Sequence, residues 1–344
     1  MTTTKERNTF FDGLKFVLIV LVVLGHVIAE RRYNTANLIL ITFIWFFHMP
    51  LFVFISGYFT RKKKDTKAFR TSIFRLLETL ICFQIPYLLP EIITKHYSIS
   101  WLTVPRYLLW YLLSLIWWRI FIQYIPDKLL NKKILMLCLS IAASILIVSI
   151  TVPGRVLSYQ RTFALLPFFL LGYYAKQTDI INKIMKLTPI LTSCILIAIC
   201  AVICFMPNEI NNTLLTAAHF ANDNIELLSG NIGLNMLMRV FCLVIAAVMS
   251  VCVINLCQFV PAKLRNYGQN TMLFYIYHGL MLYFIRYTIA RLNVFQSFPF
   301  ISYLLMFVII MILLFVIDRY RIFHLLINPI SNFREITALI RRKN

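Results

Sequence analysis

Apolar runs long enough to cross about 30 Å of hydrocarbon, at about 1.5 Å of rise per helical residue, recur from one end of this 344-residue chain to the other. Ten are discernible, roughly at 10–30, 37–59, 71–93, 106–125, 134–152, 162–177, 187–207, 232–257, 269–290 and 297–317. Lipid offers no partner for an unpaired amide, so such runs must be helices. The chain is 60% hydrophobic and only 14% charged, where water-soluble domains carry about 25% charged residues. The fold class these features predict is an all-α, polytopic membrane bundle of about ten transmembrane helices.

The net charge of +21 would suit a nucleic-acid binder, but its distribution argues against one. Lys and Arg gather in alternate inter-span segments: Lys5 and Arg7, the run from Arg61 to Arg70, Lys128 to Lys133, Lys176 to Lys186, Lys263 and Arg265, and the stretch after Asp318. That is the positive-inside pattern, which places both termini in the cytoplasm and the chain in the cytoplasmic membrane. Part of the basic excess is available for anionic lipid or an anionic cytosolic ligand. Residues 1–317 read as one membrane domain, and 318–344 as a basic amphipathic cytoplasmic tail forming a helix on the inner leaflet. No separate soluble domain is expected. The segment from Asn208 to Asn231 reads as an outer loop with a short surface helix. The eight cysteines all fall inside apolar runs without a CxxC pair, so they read as small buried hydrophobes; no metal site is expected.

Against that background, polar residues inside the runs are costly and need a purpose. Lys15 and His26 are eleven residues apart, which puts them on one helix face about 16.5 Å apart along the axis. Asp12 lies one turn before Lys15, close enough to pair with it. In the second run, His48 precedes Met49-Pro50, with Ser56 and Gly57 two turns further on. Pro50 frees carbonyls, which is tolerable where a helix lines a cavity; His48 could equally cap one of them. Trp110 belongs to an aromatic cluster that an interfacial belt would explain, and Arg161 opens the sixth run. Thr271, Tyr275 and His278 make one polar stripe on the ninth run. Three intramembrane histidines with Lys15, Asp12 and Arg75 point to a shared polar cavity.

These motifs resemble the acyltransferase-3 family of integral membrane O-acyltransferases, in particular its fucose and polysaccharide O-acetylase branch. Lys15 and His26 are similar to that family's basic-x10-His motif, and "FHMPLFVFISGYF", "LWYLLSL", "LPFFLLGYY" and "GQNTMLFYIYH" follow in order. The resemblance implies that His26 is the catalytic histidine and that Lys15, with Asp12 beside it, is the basic member of the motif. It implies that Arg75 meets acyl-CoA near the inner mouth. The arginine pair of that motif would put a basic residue at 72, where this chain has Ser72; Lys67 and Arg70 have the same spacing but sit earlier, so Lys15, Lys67, Arg70 and Arg75 are together the candidate acyl-CoA-binding cations. His48, Ser56, Trp110, Arg161, Tyr275 and His278 are the candidates for orienting substrate or stabilising an oxyanion.

The implied reaction moves an acyl group, acetyl by resemblance, from cytosolic acyl-CoA to a hydroxyl of a cell-envelope glycan or lipid-linked glycan. His26 would act as general base, an imidazole titrating near pH 6.5 being suited to that role, or would carry the acyl group covalently. Acyl-CoA is a cosubstrate and no tightly bound cofactor is expected. Two other classes use the same residues: a proton-coupled transporter or flippase for a glycolipid or sugar, with the histidines as a relay, and a membrane regulator that has lost catalysis. Oligomeric state is not legible from the sequence.

Overall fold

A computed structural model describes residues 9–29, 34–93, 100–150, 155–220, 231–292 and 299–341. Lys5 and Arg7, and residues 221–230 of the expected outer loop, lie outside the described residues. Among those described there are helices and no strands. The principal helices are α1 (Thr9–Ile28), α2 (Thr35–Phe59), α3 (Thr66–Ile93), α4 (Trp110–Tyr124), α5 (Lys133–Leu146), α6 (Leu166–Ala175), α7 (Pro189–Phe205), α8 (Asn208–Ala218), α9 (Ile232–Leu256), α10 (Thr271–Leu292) and α11 (Pro299–Asp318). Two short ones close the chain, α12 (Arg321–Leu326) and α13 (Phe333–Arg341). Four helical stretches are long and apolar enough to span a membrane, Thr9–Ile28, Thr35–Phe59, Thr66–Leu89 and Ile232–Phe259; further apolar helices, α6 and α7 among them, are shorter.

α2 is the hub of the bundle, packing on α1, α6, α7, α8 and α9. Its closest crossing is with α6 and depends on two glycines. A Cβ on Gly57 would strike the Phe169 carbonyl, and one on Gly172 would strike the Phe54 carbonyl. Apolar side chains gain little from meeting each other in lipid, so close backbone approach at small residues supplies the packing energy that hydrophobicity supplies in water.

Two expectations need correction. The sixth run is not one helix: a short helix Tyr159–Ala164 ends at Leu165 and α6 restarts behind it with Pro167 in its first turn, because proline has no N–H for the interior of a continuous helix. The segment after Asn208 does carry a short helix with an exposed face, formed by Asn208, Glu209, Ile210 and Asn212. α8 packs on α2 and buries Asn211, Leu214, Leu215 and Ala218.

The tail is not one amphipathic helix on a leaflet either. Pro329 separates α12 from α13, and the turn between them is pinned to α3. Buried Glu78 accepts from the Ile330 and Ser331 amides (2.5 and 3.0 Å) and from the Ser331 hydroxyl (2.5 Å). The Asn328 amide donates to the Arg75 carbonyl and to Thr79 Oγ1 (2.7 and 2.8 Å).

Gly172→Ala should lower stability by about 1–3 kcal/mol, the usual cost of overpacking, because its new methyl meets backbone rather than a mobile side chain. Thermal unfolding of the detergent-purified protein reads this as a lowered midpoint. An unchanged midpoint would mean that α2 and α6 do not cross this closely.

Candidate active site

A cavity of about 250 Å³ opens where α1, α2, the residues before α4, the Tyr159–Ala164 helix, α8 and α10 converge. His26, His48, Trp110, Arg161 and Tyr275 all line it. On α1 the lining residues Val22, His26 and Ala29 share one face at helical spacing. The His278 ring stands 5.7 Å from that of His26, and the rings of Tyr107 and Trp45 stand 5.6 and 6.2 Å from it. Arg161 places its guanidinium 4.7 Å from the centre of the Trp110 ring, so this tryptophan belongs to the site rather than to an interfacial belt alone.

One local device repeats at four of the described imidazoles. Nδ1 of His26 lies 2.8 Å from the Val22 carbonyl, that of His48 2.9 Å from Ile44, that of His219 2.8 Å from Leu215 and that of His278 2.8 Å from Phe274. A carbonyl only accepts, so Nδ1 carries the proton in each ring and, in the neutral ring, Nε2 carries the lone pair. The His48 bond reaches Ile44, not the Phe46 carbonyl that Pro50 leaves without its helical donor; His48 therefore does not cap the proline break. His48 and His278 are 4% and 0% exposed, whereas His26 is half-buried, so His26 is the most accessible of these three rings.

Three lining residues with polar side-chain groups, His219, Trp45 and Tyr107, are not legible in the sequence. His219 follows α8, outside the spanning helices, and meets the Trp45 ring edge-on at 3.8 Å. Its burial, and then the nearby cation of Arg161, lower its pKa to about 3, so this ring stays neutral at physiological pH. Trp45 lines the cavity with an indole N–H that is buried and has no hydrogen-bond partner among the described residues. Tyr107 completes the wall. Tyr107 and Phe220, the residue after His219, hold left-handed backbone at φ 49° and 54°. Such strain costs about 1–3 kcal/mol per residue and gathers where a site is being shaped.

Other predicted residues lie elsewhere. Lys15 bonds Asp12 at 2.7 Å and stands over the Phe59 ring, and neither residue lines this cavity. Thr271 begins α10, its hydroxyl bonded to the Gly268 carbonyl. Ser56 pairs with the Tyr111 hydroxyl at 2.5 Å, and the Tyr111 ring stands 5.6 Å from that of Tyr275. Tyr275 donates to the Leu108 carbonyl.

A second cavity, of about 560 Å³, lies between α3, α4, α10 and the tail, and it is lined by Lys63, Lys67, Arg75 and Arg119, with Asp65 as the lone carboxylate among the described lining residues. Lys67, Thr71 and Arg75 follow at i, i+4 and i+8 on its side of α3, whereas Arg70 falls on another side of that helix and does not line it. The two cavities are close: on α10, Met272 lines the second and Tyr275 the first, three residues or about 4.5 Å apart. On α4 the span from Arg119 to Trp110 is about 13.5 Å.

With this geometry in view, the comparisons with known proteins are direct. Residues 8–319 match the acyltransferase-3 sequence family, described as an acyltransferase domain, and the chain belongs to that family. It is therefore an integral membrane protein of an acyltransferase family. It is also similar to nodulation protein NolL of Sinorhizobium fredii (strain NBRC 101917 / NGR234), 49% identical over 57 residues. That match covers 15% of this chain and 16% of the relative, a small fraction of either. No solved structure matches the chain.

The exposure difference has a direct consequence. Diethyl pyrocarbonate should carbethoxylate His26 and His219 well before His48 and His278, as read by peptide mass spectrometry. Earlier modification of His48 or His278 would contradict the packing described.

Proposed function

We propose that the chain transfers an acyl group, acetyl by family resemblance, from acyl-CoA to a hydroxyl of a cell-envelope glycan or its lipid-linked precursor. The observation that supports it best is His26: a half-buried imidazole at a cavity wall, with Nδ1 bonded to the Val22 carbonyl. The protein would lie in the cytoplasmic membrane as a bundle of about ten spans with both termini inside. The donor's phosphates would stay at the basic cavity, which the positive-inside pattern puts on the cytosolic side. Its thin pantetheine arm would run past Tyr111 and Tyr275 toward His26.

The chemistry then follows in order. Nε2 of His26 takes the proton of the acceptor hydroxyl as its oxygen attacks the thioester carbon. The carbonyl oxygen gains negative charge, which the Arg161 cation at the cavity wall would stabilise. The tetrahedral species collapses, the C–S bond breaks, and the leaving thiolate of CoA recovers the proton from His26. The ester and free CoA are the products, with no net proton released. His48 and His278 hold the wall behind His26. Lys15 and Asp12 act as an ion pair at the other end of α1, positioning that helix rather than touching reacting atoms.

His26→Ala should cut acyl transfer by roughly 10²–10⁴-fold, the usual worth of a general base, while expression and detergent elution stay unchanged. Thioester consumption by the purified protein with a glycan acceptor measures it. Turnover near the parent's in the variant would remove His26 from the mechanism, and no thioester consumption by the parent protein would favour a transporter.

A further inference from the structure

We propose that the guanidinium of Arg119, on α4, is a phosphate-binding group of the basic cavity and supplies, from a second helix, the cation that α3 lacks at Ser72. This rests on the acyl-CoA reading above and names the residue that would grip the nucleotide end of that donor.

Several observations carry it. Arg119 Nη1 donates to Ser72 Oγ at 3.1 Å, so the guanidinium sits at the position on α3 where a basic residue would otherwise project. That is its only side-chain hydrogen bond among the described residues, and no carboxylate there pairs with it. A guanidinium has five N–H donors in a planar fork, so most of this one's capacity is uncommitted. Half-burying an arginine without a counter-charge is expensive unless a ligand provides one. Arg119 also shares its cavity with Arg75, Lys67 and Lys63, against a single carboxylate among the described lining residues, Asp65, whose Oδ1 already accepts the Lys67 backbone amide at 2.8 Å.

The hydrogen-bond directions suit a phosphate. Ser72 accepts from Arg119, which leaves its own hydroxyl proton to donate into the cavity. A phosphate there would receive the remaining Arg119 fork, the Ser72 hydroxyl and the Arg75 guanidinium, a charge-assisted set from two helices. The tail forms another part of the wall through Ile327 and Asn328, which the Asn328 bonds to Arg75 O and Thr79 hold in place.

The test is binding of coenzyme A, and separately of ADP, to the full chain in detergent, by calorimetry, with thioester consumption followed in parallel. Arg119→Gln should weaken coenzyme A binding roughly tenfold or more, as expected for loss of hydrogen bonds to a charged group. In turnover it should raise KM for the donor with kcat largely kept. Arg119→Lys, which keeps the charge but loses the fork, should fall between the two. Adding Ser72→Arg to the Arg119→Gln variant should restore binding, because it returns a guanidinium to the same place from the other helix; size-exclusion elution checks that each variant is folded.

Unchanged coenzyme A affinity in Arg119→Gln would overturn the inference and leave the donor reading standing. Binding of ADP through Arg119 without thioester consumption would overturn the donor reading and leave the anion site. Retention of neither ligand by the parent protein would overturn both.

Discussion

The hydrogen bond from His26 Nδ1 to the carbonyl of Val22 is the contact on which the rest of this site depends. It uses a helical carbonyl one turn back, and so needs no partner from another element and is available inside an apolar span. It fixes the tautomer, turns Nε2 outward and holds the ring beside the space that α2, α8 and α10 enclose. The same bond at His48, His219 and His278 produces a set of rings with matched tautomers. A polar cluster within lipid is therefore paid for locally, and the bundle has only to bring the helices together.

It does so through close contact rather than through apolar attraction. The reciprocal approach of Gly57 and Gly172 draws α6 onto α2, and α2 in turn carries Trp45 and His48 to the cavity. Glu78 performs a comparable service at the basic cavity: its buried carboxylate is satisfied by the tail amides, which brings residues beyond the family domain's last matched residue, 319, into the cavity wall. The two cavities are thereby built by different parts of the chain yet come within a turn of each other along α10.

How much of this was legible in the sequence depended on whether a feature was local. The runs read at 10–30 and 37–59 correspond to Thr9–Ile28 and Thr35–Phe59 because composition alone dictates a helix in lipid. His26, His48, Trp110, Arg161 and Tyr275 could be singled out because polar groups are conspicuous in an apolar span, and they do share a cavity. His219 could not: an imidazole among Asn and Thr carries no such contrast, and only the packing of α8 onto α2 turns it inward. Arg119 was hidden for a related reason, since its partner at Ser72 is set by how α4 lies on α3. Lys15 shares a helical face with His26, but its nearest anion, Asp12, keeps it at the far end. The break at Leu165 and the turn at Pro329 had their prolines in plain view, yet where a chain restarts is a matter of tertiary contact.

The central claim is that one donor molecule occupies both cavities at once. A cryo-electron microscopy structure of the protein with a non-hydrolysable acetyl-CoA thioether tests it most directly. The account predicts nucleotide density against Arg75 and Arg119, an arm passing Tyr111 and Tyr275, and the carbonyl analogue beside Nε2 of His26. Density for the acyl end that stops in the basic cavity, or that lies away from His26, would contradict it.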